Sequence, residues 1–207
     1  QLLEPEIWDA AHQSGCRSLY YGLESANERI IKLVKKDTDI KAAKINLEQA
    51  KRVGIWSHVM CFYGFPSETE EEAEDTRRFL IENQHQIPSV EMYFFVLYKN
   101  APVMFQADEY KIDVTVNPEH DLALDYYYTP ESGQTTEEAM SRYERFYQED
   151  FGPWALRINA REHVFLYITK YGTSDLPQLY VKNNPETQKV IDELQANDTE
   201  GPEELFS

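Results

Sequence analysis

The sequence has little cysteine: two residues, Cys16 and Cys61, in a chain of 207. Their separation of 45 residues matches no zinc or iron–sulfur ligand spacing, and the expected state is two buried, reduced thiols of an intracellular protein. Long apolar runs are also missing. Nothing approaches the roughly 18 consecutive apolar residues of a membrane span, and no signal-peptide pattern opens the chain, so no membrane partner and a cytoplasmic location are expected. Positive charge is scarce as well: 20 Lys and Arg face 37 Asp and Glu, for a net charge of −17. Such a field opposes the approach of nucleic acids and anionic membranes, so no nucleic-acid partner is expected. The imbalance is uneven, with 12 basic and 16 acidic residues in 1–106 but 8 and 21 in 107–207. No glycine-rich phosphate loop is present, which disfavours a phosphate-binding barrel. The chain begins without Met and enters a helical pattern almost at once, as a piece of a longer protein would.

What is there reads as an alternation of helices and strands. Residues 5–13 place Ile7, Trp8 and Ala11 on one helical face, and Gly15 stops that helix. A strand over 18–22 precedes a short helix carrying Ile30, Ile31, Leu33 and Val34, with Lys32, Lys35 and Lys36 near its negative end. A helix follows over about 39–53, then a nearly continuous apolar strand, IWSHVMCFYG, at 55–64. An acidic-headed helix at about 70–83 leads to a third strand, SVEMYFFVLY, at 89–98. Three strands joined by helices imply parallel βα units with right-handed crossovers. The expected fold class is therefore α/β, a partial (βα) barrel with a C-terminal mainly helical extension. Its expected divisions are 1–106 for the barrel part, 107–196 for an irregular and helical extension, and 197–207 for a mobile acidic tail. Within 107–133 only one short strand, at IDVTV, stands out, and helices are expected at about 137–150, 160–171 and 185–196.

In parallel α/β folds ligands gather at the carboxyl ends of strands, where loops and helix N-termini present backbone N–H groups. Two strand ends here are unusual: Gly22-Leu23-Glu24-Ser25 and Gly64-Phe65-Pro66-Ser67-Glu68-Thr69. Taken alone, each reads as a tight turn followed by a capping box, Ser25 with Glu28 and Ser67 with Glu70.

Taken in order, GLESANERIIKLVKKDT, AKRVGI and FYGFPSETEEEAEDTRRFL resemble the second half of the radical S-adenosylmethionine (radical SAM) enzymes, most nearly the branch that often carries a cobalamin-binding domain. The resemblance runs from about Gln1 to Phe105. It implies the last three βα units of a six-unit barrel, in a parent protein that reductively cleaves S-adenosylmethionine to a 5′-deoxyadenosyl radical on a [4Fe-4S] cluster. Glu24 matches the position that reaches the cofactor's polar groups, with Ser25 beside it. Lys36, twelve residues on, matches the basic position that pairs with the cofactor's carboxylate. Met60, Phe62 and Gly64 fall where the family lines the adenine. A carboxylate suits hydroxyl and amine groups, a lysine suits a carboxylate, and an apolar strand edge suits a planar base.

Two departures accompany the match. The family's C-x-x-x-C-x-x-C loop is absent, so no cluster is expected on this chain and the missing N-terminal half of the barrel is the expected partner that carries it. Asp37 stands where the turn after Lys36 usually has glycine. The alternative is a non-redox binding or scaffolding module whose acidic half docks a basic partner. A half barrel also exposes a parallel edge, so either self-association or cover by the chain's own extension is expected.

Overall fold

The computed structural model describes residues 2–116 and 124–150. Helix α1 (Pro5–Gln13) starts at a proline, whose missing N–H costs nothing in the first turn, and buries Trp8 against Ala50 and Ile55. It is followed by β1 (Ser18–Glu24), α2 (Glu28–Leu33), α3 (Ile40–Arg52), β2 (Trp56–Tyr63), α4 (Glu70–Glu82) and β3 (Ser89–Phe94). The three strands form one parallel sheet in the order β1-β2-β3. Their register runs from Ser18 opposite Trp56 to Gly22 opposite Met60, and from His58 opposite Ser89 to Tyr63 opposite Phe94.

The nearly continuous apolar sequence of β2 follows from its central place. Val59, Cys61 and Tyr63 point to the helical side, where they meet Leu47 of α3 and Ala73, Phe79 and Leu80 of α4 in the main core. The alternate residues, Trp56, His58, Met60 and Phe62, face the opposite side. Among the described residues the sheet does not close, and the fold is α/β, a parallel three-stranded portion of a barrel.

The third strand is shorter than the sequence pattern. Phe95 N–H still donates to the Tyr63 carbonyl at 2.7 Å, but the chain then leaves the parallel sheet, and β4 (Leu97–Tyr98) pairs elsewhere. A second core draws it away. The Phe95 ring packs edge-on against Phe65 and Tyr128 with centroids 5.0 and 5.7 Å apart, and Leu97 is fully buried beside Ile30 and Val103.

After two single-turn helices, α5 (Pro102–Phe105) and α6 (Ala107–Tyr110), come β5 (Ile112–Thr115) and β6 (Asp125–Pro130). These strands and β4 form an antiparallel sheet in the order β4-β6-β5. The expected strand at IDVTV is present. The YYYT segment, expected to be irregular, forms β6, its side chains alternating between outward Tyr127 and inward Tyr126 and Tyr128. Helix α7 (Thr136–Arg145) continues into a π-helical turn over Phe146–Asp150. The expected helices at 160–171 and 185–196 and the 197–207 tail lie outside the described residues.

The π turn finishes one edge of the parallel sheet. Tyr147 Oη accepts from Met92 N–H at 2.8 Å and donates to the Met92 carbonyl at 3.2 Å, so a phenol occupies the place of a pairing strand. Arg77 of α4 holds the end of the same turn by a bidentate pair with Asp150, at 2.7 and 2.5 Å. Beyond β1, among the described residues, no strand is paired.

Both expected capping boxes shift. Asn27, not Ser25, caps α2, accepting from the N–H groups of Arg29 and Ile30. Thr69 with Glu72, not Ser67 with Glu70, forms the capping box of α4. Ser25 and Ser67 are both used in holding the preceding loops.

Candidate functional site

The carboxyl end of β1 is built around one strained residue. The pairing of β1 with β2 slips between Gly22 and Glu24, leaving Leu23 as the extra residue of a bulge with its side chain in the core. Glu24 then has φ of +66°, and Ser25 N–H reaches back to the Leu23 carbonyl at 2.8 Å, closing a three-residue turn on Glu24. For a non-glycine residue such a turn costs about 1–3 kcal/mol and persists only where its surroundings hold it. Here α4 holds it. Ser25 is fully buried and its hydroxyl meets Thr76 Oγ1 at 3.0 Å, Ala26 N–H donates to the same oxygen at 2.9 Å, and Asn27 donates to Asp75 at 2.8 Å.

Lys36 arrives at Glu24 because α2 is short and ends abruptly. Lys35 takes a left-handed conformation, φ +57°, Lys35 N–H bonds the Lys32 carbonyl, and Lys36 N–H bonds Ile31 at 3.2 Å, the double closure of a Schellman motif. The chain folds back, and Lys36 Nζ lies 3.0 Å from Glu24 Oε1. Residues twelve apart in sequence are thereby brought into contact. Gly22 makes the room: a Cβ on it would sit 2.7 Å from Glu24 Oε1 and 3.9 Å from Lys36 Nζ. The lysine side chain is half exposed, so the pair adds little to stability.

The Glu24 carboxylate lines a cleft of about 610 Å³ with Met60, Phe62, Tyr93, Phe95 and Tyr98. That volume suits a nucleoside-sized ligand. Of the six residues singled out by sequence, Glu24, Met60 and Phe62 line it, and Lys36 joins through its ion pair. Ser25 is turned away into the contact with α4. Gly64 also lies elsewhere: with φ of +78° it packs against α7, where a Cβ would come within 2.3 Å of the Ala139 side chain.

The turn at the end of β2 holds a residue the sequence reading passed over. Glu68 is fully buried, with Oε2 accepting from Gly64 N–H at 2.6 Å while Oε1 finds no partner. Burial pushes its carboxyl up to about 8, against smaller opposing contributions from the Gly64 hydrogen bond and from Arg142 and Arg29. Arg29 clamps the outside of the turn, donating to Ser67 Oγ and O at 3.0 and 2.7 Å and to both Glu72 oxygens. A second set escaped notice on the cleft side of the sheet, where His58, Ser89, Glu91 and Tyr93 form a hydrogen-bonded row. The period-two alternation of SVEMYF carries that signal, since it puts Ser89, Glu91 and Tyr93 on one face.

Cys61 touches the cleft but is buried, and desolvation pushes its thiol well above the ordinary range, which suits neither a nucleophile nor a metal ligand. Cys16 is half buried and points to the Ser18 carbonyl. Among the described residues no group of three His, Cys, Asp or Glu side chains could hold a metal ion. No helix of the described residues is long and apolar enough to cross a membrane.

A charged pair and an apolar wall thus stand at the carboxyl ends of a parallel sheet, where α/β folds gather ligands. Residues 1–80 match the sequence model of the radical SAM superfamily. Over 74 residues the chain is 34% identical to a Pyrococcus horikoshii protein named as an uncharacterized methyltransferase, a stretch that covers 36% of this chain and 16% of that protein. The structure is similar to coproporphyrinogen III oxidase from Escherichia coli, described as a radical SAM enzyme, with a TM-score of 0.51 and 17% identity over 72% of this chain and 30% of that one. At that identity the likeness concerns the fold. The chain thus spans about a sixth of the curated relative and under a third of the solved one. The likeness to the radical SAM superfamily lies in residues 1–80 of this chain.

Proposed function

We propose that this chain is the cofactor-orienting part of a radical SAM enzyme, and that the cleft at the ends of β1, β2 and β3 receives S-adenosylmethionine. The observation that carries the reading is the Glu24–Lys36 pair, held at 3.0 Å on the cleft by a strained turn that the fold alone does not need. The donor set fits the ligand. The Lys36 ammonium offers a partner to a carboxylate, and the Glu24 carboxylate accepts from amine or hydroxyl groups. Met60 and Phe62 offer a flat apolar wall to a purine.

When bound with a reduced cluster, S-adenosylmethionine supplies the radical chemistry of this superfamily. The residues of this chain bind and orient it. On binding, Lys36 exchanges part of its interaction with Glu24 for the ligand carboxylate, and the aromatic wall excludes water from the adenine face. The cluster does not fit this chain, whose two cysteines stand 45 residues apart with one buried. We place its ligands on a preceding part of the parent protein.

Calorimetric titration of the chain with S-adenosylmethionine tests the reading. Binding in the micromolar to millimolar range is expected, weakened about tenfold or more in Lys36→Ala, the loss of one charge-assisted hydrogen bond. An absence of heat at millimolar ligand, with the protein folded by circular dichroism, would refute it.

A further inference from the structure

The wall of the cleft formed by β3 has a fixed hydrogen-bond polarity, which goes beyond the Glu24–Lys36 end. Trp56 Nε1 donates to Ser89 Oγ at 2.8 Å, Ser89 Oγ meets His58 Nδ1 at 2.8 Å, and His58 Nε2 lies 3.3 Å from Glu91 Oε2. Tyr93 Oη completes the row by donating to Glu91 Oε1. The direction is set by its ends: an indole N–H only donates and a carboxylate only accepts. Both His58 Nε2 and Tyr93 Oη must therefore present their hydrogens to Glu91. With its hydrogen committed, the Tyr93 oxygen has only lone pairs to offer the cleft. It stands opposite Phe62 in the strand register, half exposed, and shares the cleft with the aromatic Tyr98 and the Glu24 carboxylate.

We propose that the Tyr93 end of the cleft is a subsite for a hydrogen-bond donor of a ligand, best a primary ammonium group flanked by an apolar body, and that Glu91 is the positioning residue that makes it so. An ammonium gains there from the Tyr93 oxygen, from the negative charge of Glu91 behind it and from the faces of the surrounding rings. A carboxylate or phosphate meets lone pairs and like charge there. The inference rests on the reading of this cleft as a ligand site, but it does not depend on Lys36.

The test uses two probes of one size, phenethylamine and phenylacetate, titrated into the whole chain while the tyrosine and phenylalanine ring signals are followed by NMR. The amine is expected to bind at least about tenfold more tightly than the acid and to shift the Tyr93 and Phe62 signals. Glu91→Gln should erase the preference, because a glutamine amide donates to Tyr93 and lets its hydroxyl turn toward the cleft. Glu91→Asp, which keeps the acceptor, should retain part of it, a distinction that a merely structural role would not produce. Equal affinity for the two probes, no binding of either, or an unchanged preference in Glu91→Gln overturns the proposal. In Lys36→Ala the amine preference should persist, so failure of the S-adenosylmethionine reading and failure of this one are told apart.

Discussion

Replacing Glu68 by glutamine should change how the stability of this protein depends on pH. In the folded state the Glu68 carboxyl titrates at about 8, whereas unfolding returns it to the ordinary value of 4.5. Between those values the folded protein holds a proton that the unfolded chain releases, so its contribution is fully present below pH 4.5 and is lost as pH rises through 8. Between pH 6 and pH 8 the folded group keeps its proton while the unfolded chain is ionised, and at roughly 1.4 kcal/mol per unit the loss from pH 6 to pH 9 is about 3 kcal/mol. Glu68→Gln keeps the shape, keeps an acceptor for Gly64 N–H and cannot ionise. Urea denaturation of both proteins at pH 6 and pH 9 isolates this group, since every other titration is common to the pair and cancels in the difference. Whatever the offset between the amide and the neutral acid, the variant's advantage should widen by about 3 kcal/mol from pH 6 to pH 9. Curves that stay parallel from pH 6 to pH 9 would refute the claim that the Glu68 carboxyl is buried as a neutral acid.

Three further substitutions probe the loops around the cleft. Gly22→Ala brings a methyl only against the movable end of Glu24, so stability should fall by less than about 1 kcal/mol while S-adenosylmethionine binding weakens several-fold by calorimetry. Gly133→Ala is different in kind: with φ of +89° and a Cβ that would lie 2.5–2.7 Å from the Ser67–Glu68 backbone, it should lower stability in urea by at least about 2 kcal/mol. Lys35→Gly removes a left-handed lysine from the Schellman turn and should raise the thermal midpoint by a degree or more, reflecting a gain of up to about 1 kcal/mol less the small contribution of the exposed Lys35–Glu109 pair.

The parallel sheet was legible because each of its strands announces itself by composition, and β2 by being apolar on both faces. Glu24 and Gly64 stand at the carboxyl ends of β1 and β2, as the sequence pattern suggests, but Gly64 packs against α7 and not on the cleft. What the sequence could not show is that Glu24 and Lys36 touch, because that contact depends on a left-handed lysine at a place where glycine is usual. Ser25 looked like a ligand residue, yet its hydroxyl is needed inside, on Thr76, to hold the strain at Glu24. The short β4 was hidden because few residues pair there, and Leu97 and Phe95 answer to a second core assembled from distant segments. Glu68 gave no signal at all: a glutamate in a polar-looking turn becomes a buried acid only when β2, α4 and the Gly133–Gln134 loop close over it.

Tyr147 gives the sheet a direction of growth. A strand approaching β3 from outside would have to displace both bonds of the phenol to Met92, while the outer side of β1 stands open among the described residues. Among the described residues, any chain that extends this sheet, whether a preceding barrel strand, a second copy or a misfolded neighbour, must therefore compete for one seam. A proline placed in β1 would close that seam to all three at once, whereas Tyr147→Phe would open a second front on the far side.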